Sequence, residues 1–202
     1  MSKPEPLVHG VYYHVYNRGN GGENIFREAR NYDYFLKQYA RYVEPVADTY
    51  AYCLLKNHFH LLVRIKEEEE IDLTGFANRS GLKNPTQQFS NFFNSYAKSI
   101  NIAYGRTGNL FQRPFGRIRV MTDAYFVGLI HYIHFNPQKH GFVSDFREYP
   151  YSSYRAILST DATKIKREEV LTWFSGRDGF TASHISHADD KKITLLIGED
   201  PD

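Results

Sequence analysis

Two histidines flank a phenylalanine at His58-Phe59-His60. In a strand, residues i and i+2 point to the same face, so both imidazoles project together while Phe59 turns to the other side. Two imidazoles so placed can chelate one divalent ion. The plain alternative is a pair of strand histidines with everyday hydrogen bonds. Tyr132 and Asn136 form a second pair. At i and i+4 on a helix they lie on one face, a turn apart. A phenol is a candidate nucleophile and an amide oxygen a candidate ligand for a hard cation. The alternative is a buried tyrosine and an asparagine that ends a helix. Together the four describe more. An ion on His58, His60 and Asn136 keeps coordination positions open, so it can polarise a phosphate oxygen. A tyrosine aimed at that phosphorus then gives covalent phosphodiester cleavage. Nitrogen and oxygen ligands without sulfur suit Mg or Mn.

A charged partner is suggested by distribution, not total. The formal net charge of the 202-residue chain is only +2. Yet Arg106, Arg113, Arg117 and Arg119 lie between Gly105 and Met121 with no acid among them, whereas Glu67 to Glu70 form an acidic run. Alternation along a strand puts Arg117 and Arg119 on one face, where they can neutralise phosphates. Further candidates for nucleic-acid contact are Arg18 in the first turn, Lys56 and Asn57 directly before the histidines, and Lys139 and His140 just after the tyrosine helix. The 16 tyrosines and 15 phenylalanines offer stacking platforms for bases, or simply an aromatic core. His131 and His134 are candidate bases, with packing or DNA contact as alternatives.

The elements that must position these residues are legible from periodicity. Val11 to Tyr16 alternates as a strand and ends in Asn17-Arg18-Gly19-Asn20-Gly21-Gly22, a turn. Asn31 to Val43 has helical spacing, closed by Pro45. Thr49 to Leu55 and His58 to Ile65 are strands joined by Lys56-Asn57, a tight hairpin. Glu67 to Asp72 is a solvated loop or helix start. A helix opens at Pro85-Thr86, with Phe89, Phe92, Phe93, Tyr96 and Ile100 along its apolar stripe. Leu110 to Val120 reads as a strand carrying the arginines. Asp123 caps a third helix, which the bias of residues before proline ends at Asn136-Pro137. Tyr149 to Leu158 reads as a short helix. The economical arrangement is an α+β fold, a small antiparallel sheet with helices packed on one face.

Composition sets the frame. Apolar residues make up 42% and charged residues 24%, a globular balance. Cys53 is the sole cysteine, which excludes an internal disulfide framework and thiolate-cluster zinc. No run reaches the roughly 18 apolar residues of a membrane span, and Met1 to Pro6 shows no apolar signal region. A cytoplasmic protein with no membrane partner is the expectation. Residues 1–158 are expected to form the working domain and 159–202 a partly helical extension.

The residues also carry a resemblance. The stretches HVYNRGN (His14 to Asn20), YCLLKNHFHLLV (Tyr52 to Val63), NLFQRPFGRIRV (Asn109 to Val120), YFVGLIHYIHFNPQKHG (Tyr125 to Gly141) and YPYSSY (Tyr149 to Tyr154) stand in the order found in one family. The chain resembles the single-tyrosine HUH transposases of the insertion-sequence type, in their REP-associated branch. The resemblance runs from about residue 8 to residue 155. It implies a ferredoxin-like or RRM-like sheet, with metal ligands at His58, His60 and Asn136 and the nucleophile at Tyr132. It implies a single-stranded DNA endonuclease and ligase that works through a 5′-phosphotyrosine on hairpin or repeat DNA, as a monomer or a homodimer. The rival expectations are a domesticated DNA-binding protein that does not cleave, and an RRM-like RNA-binding module.

Overall fold

The structure is a computed structural model that describes residues 5–71 and 84–186. Asp72, the N-terminal four residues and the tail beyond 186 lie outside the described residues. The chain forms β1 (Tyr12–Arg18), α1 (Ala29–Tyr42), β2 (Ala47–Leu54), β3 (His58–Ile65), α2 (Pro85–Ala103), β4 (Gly116–Arg119), α3 (Asp123–Lys139), α4 (Tyr154–Leu158), α5 (Arg167–Trp173) and α6 (Arg177–Ser186). The four strands make one sheet in the order β2-β3-β1-β4, and every pairing is antiparallel. A β-α-β-β-α-β run with this order is the ferredoxin-like split βαβ arrangement. The expected α+β class therefore holds.

Register decides what each face does. Directly opposed residues of an antiparallel pair share a face. Asn17 faces Phe59 and Val15 faces Leu61, while Tyr16 faces His60 and His14 faces Leu62. On the first face Val15, Phe59, Leu61 and Val63 pack with Phe35 of α1 and Phe89, Phe92 and Tyr96 of α2. This is the helical layer the sequence leads one to expect. The opposite face gains a layer of its own. There Ala51, Cys53 and Leu62 pack with Leu129, Ile130 and Ile133 of α3 and with Val170, Phe174 and Phe180 of α5 and its surroundings. Helices thus lie on both faces. The reason is the apolar stripe of α3, which needs a partner and finds it on the side of the sheet that α1 and α2 leave open.

Local chemistry sets the helix ends. Asn84 caps α2 by accepting from the Gln87 N–H, with Pro85 in the first turn. Thr122, one residue before Asp123, caps α3 by accepting from the Tyr125 N–H. Helix α3 does not stop at Asn136. It continues through Pro137 to Lys139, and the His140 N–H bonds to the Asn136 carbonyl. Proline removes one donor from the ladder, and burial of both Asn136 and Pro137 holds the turn in place. The arginine strand is shorter than the alternation suggests. Only Gly116–Arg119 is strand, and Phe111 contributes an isolated bridge to Gly19. Pro114 has no N–H for a ladder.

Candidate active site

His58 opens β3 and His60 follows two residues later, both buried. Their rings lie 5.2 Å apart on the α3 side of the sheet. Phe59, fully buried, points the other way into the first core. Helix α3 crosses this face and brings two side chains to the histidines. His58 Nε2 is 3.0 Å from Asn136 Oδ1, across 78 residues of sequence. The Tyr132 ring meets the His60 ring edge-on at 5.2 Å between centroids. The i, i+2 pair and the i, i+4 pair expected from the sequence therefore converge, and one chain supplies all four.

The surroundings fix the two imidazoles. His58 Nδ1 donates to Asn57 Oδ1 at 2.9 Å, which orients the ring and makes Nε2 its inward atom. Nε2 in turn faces another acceptor, Asn136 Oδ1. A ring nitrogen and an amide oxygen each carry a lone pair that a cation set between them could share. A spacing near 3.0 Å is also what adjacent ligands of a small six-coordinate cation adopt, at bond lengths of about 2.1 Å. His60 is held through Nδ1, which is 2.9 Å from His14 Nε2 in a buried hydrogen bond. Ligating histidines are normally oriented through their second nitrogen in this way. Two imidazoles and one amide oxygen thus fit a divalent ion. Among the described residues no group of three His, Cys, Asp or Glu side chains offers a rival site.

The other sequence-derived candidates divide between the two faces. Arg18 stands opposite His58 in the register, so it shares that face. Asn57 orients His58, and Lys56 is exposed at the hairpin tip. The His140 ring lies 5.0 Å from the His58 ring, and Lys139 Nζ sits 5.3 Å from the centre of the Tyr132 ring. Arg18, Asn57, Lys139 and His140 thus lie on the histidine side, whereas Lys56 lines a separate recess with Gly22, Glu23, Asn24 and Arg27. Arg117 and Arg119 are not on the histidine side, because they oppose Val15 and Tyr13 and lie on the α1/α2 face. They do share a face, as alternation requires. Arg119 pairs with Glu5, and exposed Arg113 donates to Asn94.

His131 and His134 turn away from the site. His134 bonds His184 of α6 at 2.8 Å and Ser153 at 2.7 Å, and His131 bonds Ser183 at 3.0 Å. Burial, followed by the neighbouring His184 and His131, holds the His134 pKa well below the usual histidine range. These two serve packing. In a second tyrosine on α3, Tyr125, burial and nearby Tyr16 push the phenol up to about 12.

Sequence reasoning overlooked His14 and Tyr16 as site residues. The Tyr16 ring lies 4.9 Å from His14 and 6.1 Å from His60. Gly116 stands opposite Tyr16, where a Cβ would collide with the ring. The alternation Tyr12, His14, Tyr16 placed the three on one face. Which face was hidden until the β1–β3 register was known.

No family model matches the chain. Over 116 residues, 56% of this chain, it is 31% identical to a protein of Haemophilus influenzae described as "Putative REP-associated tyrosine transposase". In sequence the chain is thus similar to a protein described as a REP-associated tyrosine transposase. It spans 62% of that relative's length. The fold has a counterpart in a solved REP-associated tyrosine transposase bound to a REP hairpin, with a TM-score of 0.57 at 16% identity, covering 83% of this chain and 96% of the other. The resemblance read from the motifs thus agrees with the likeness in sequence and the likeness in fold. Among the described residues no helix is long and apolar enough to cross a membrane.

Proposed function

We propose that the chain cleaves single-stranded DNA and transfers the cut strand through a covalent 5′-phosphotyrosine on Tyr132, as a transposase acting on hairpin or repeat DNA. The observation that carries this reading is the convergence of Tyr132 and Asn136 of α3 on His58 and His60 of β3. The relative's description and the hairpin held by the solved neighbour support the choice of DNA.

The residues divide the work as follows. His58, His60 and Asn136 would hold a Mg or Mn ion, whose charge would neutralise and orient a phosphate of the DNA. Asn57 and His14 keep the two imidazoles turned inward. Tyr132 Oη attacks the phosphorus and forms a new ester bond. The bond from phosphorus to the 3′ oxygen breaks, and that oxygen takes a proton to become a free 3′-OH. Tyr132 loses its phenolic proton in the exchange. Attack by a 3′-OH on the adduct reverses the process, rejoins a strand and restores the phenol. One phosphate ester replaces another, so no nucleotide triphosphate is consumed. Lys139 places a positive charge beside Tyr132, where the anionic backbone arrives.

The RNA-binding rival expects a sheet face that displays aromatics to bases. Here that face carries α3 and the histidine pair, which favours the cleavage reading. The test is a denaturing gel of the protein incubated with single-stranded DNA from the flanks of its own gene, in Mn or Mg. An adduct that disappears with EDTA and in Tyr132→Phe is expected. Tight DNA binding with no adduct would instead identify a domesticated binding protein.

A further inference from the structure

On the far side of the sheet from Tyr132, a groove of about 820 Å³ runs between α2 and the 108–115 loop. That lies within the roughly 300–1,000 Å³ range of ligand clefts. Its lining contains four cations, Lys98, Arg106, Arg113 and Arg117, and no carboxylate. Arg106 pairs with Glu23, and Arg113 donates to Asn94 of the groove's own lining. Arg117 is different. Its guanidinium lies 3.9 Å over the Phe115 ring, and Nε and Nη1 are buried with no hydrogen-bond partner among the described residues. A buried charge-bearing donor left so is costly unless something pairs with it. Burial alone lowers its pKa from the usual guanidinium value, and an anion would oppose that shift. Asn109 and Gln112, both exposed, also line the groove, and amides of this kind read the edges of unpaired bases.

We propose that this groove binds an unpaired stretch of the DNA substrate, with a backbone phosphate on the Arg117 guanidinium and a base edge against Asn109 and Gln112. The proposal rests on the DNA-cleavage reading for its choice of nucleic acid. It adds a second contact region, on the face opposite the nucleophile. Strands β1 and β4 lie between the histidines of β3 and this edge of the sheet, and a flexible single strand can pass around the edge from one region to the other. A rigid duplex cannot follow that turn.

The experiment is fluorescence anisotropy in EDTA with a fluorescein-labelled single-stranded DNA of roughly 16 nucleotides, titrated over a range of salt, with a fully paired hairpin as competitor. Wild type, Arg117→Gln, the double variant Asn109→Ala/Gln112→Ala and Tyr132→Phe are compared, each checked by thermal melting. Arg117→Gln is expected to bind tenfold or more weakly, with the slope of log K against log salt reduced by about 0.7. The double variant should lose several-fold in affinity, and the paired hairpin should compete poorly. Unchanged affinity in the double variant, together with an unchanged salt slope in Arg117→Gln, overturns the proposal. Should Arg117→Gln fail to fold, the double variant of exposed residues decides alone. The adduct assay separates the two readings. Adduct formation with no dependence on the groove residues sinks the groove and keeps Tyr132. Groove-dependent binding without any adduct keeps the groove and sinks the nucleophile.

Discussion

At the scale of single residues, the site is two rigidly held imidazoles facing one turn of a helix. Removing the phenolic oxygen leaves the ring packing against His60 in place, so Tyr132→Phe is expected to fold and bind DNA as wild type does while forming no adduct. His14 bonds His60 Nδ1 and meets the Tyr132 ring edge-on, so it acts on the site as a positioning residue. His14→Phe should lower Mn affinity about 10- to 100-fold, the usual effect of losing an orienting partner, measured by calorimetric titration of Mn into the protein. Unaltered Mn affinity would mean that His60 needs no support. His58, His60, Tyr132 and Asn136 were legible because each pair lies within one element, where a period of two or 3.6 fixes the face. His14 was not legible. Its role comes from the pairing of β1 with β3, and a sequence shows which residues alternate but not what they sit beside.

At the scale of elements, α3 is the part on which function turns, since it carries Tyr132, Asn136 and Lys139. The Thr122 hydroxyl at its start accepts from the Tyr125 N–H. Thr122→Ala is expected to cost about 1 kcal/mol of stability, read from a denaturant melt, with the adduct yield little changed because the site lies at the far end of the helix. The helix outruns the sequence expectation by three residues beyond Asn136. The bias against helix before proline is a local preference, and burial of Asn136 and Pro137 outweighs it. The arginine segment shows the reverse error. Alternation from Leu110 to Val120 suggested one long strand, yet only four residues pair, because Pro114 cannot join the ladder. The shared face of Arg117 and Arg119 was still correctly read. That this face is the one opposite the histidines required the register of β4 against β1.

At the scale of the molecule, the sheet separates two aromatic-rich cores, and the second depends on the C-terminal helices. Phe180 of α6 is fully buried there, and His184 joins α6 to α3 through His134. Phe180→Ala should therefore destabilise the protein by about 3–5 kcal/mol, with loss of adduct as α3 loses its backing. A substitution that lowered stability by less than about 1 kcal/mol would show that α6 is an appendage. The thin apolar pattern after Ser159 gave little sign of this, because Val170 and Phe174 span a single turn of one short helix and its cap while Phe180 sits on the next helix, so no period is sustained. The central claim is that Tyr132 becomes covalently joined to DNA. It is tested most directly by incubating the protein with single-stranded DNA and Mn, digesting with nuclease and trypsin, and sequencing the nucleotide-bearing peptide by mass spectrometry. The account predicts the phosphonucleotide on Tyr132 within the peptide Val120 to Lys139. A modification on Tyr125 or any other tyrosine, or cleaved DNA with no modified peptide, would contradict it.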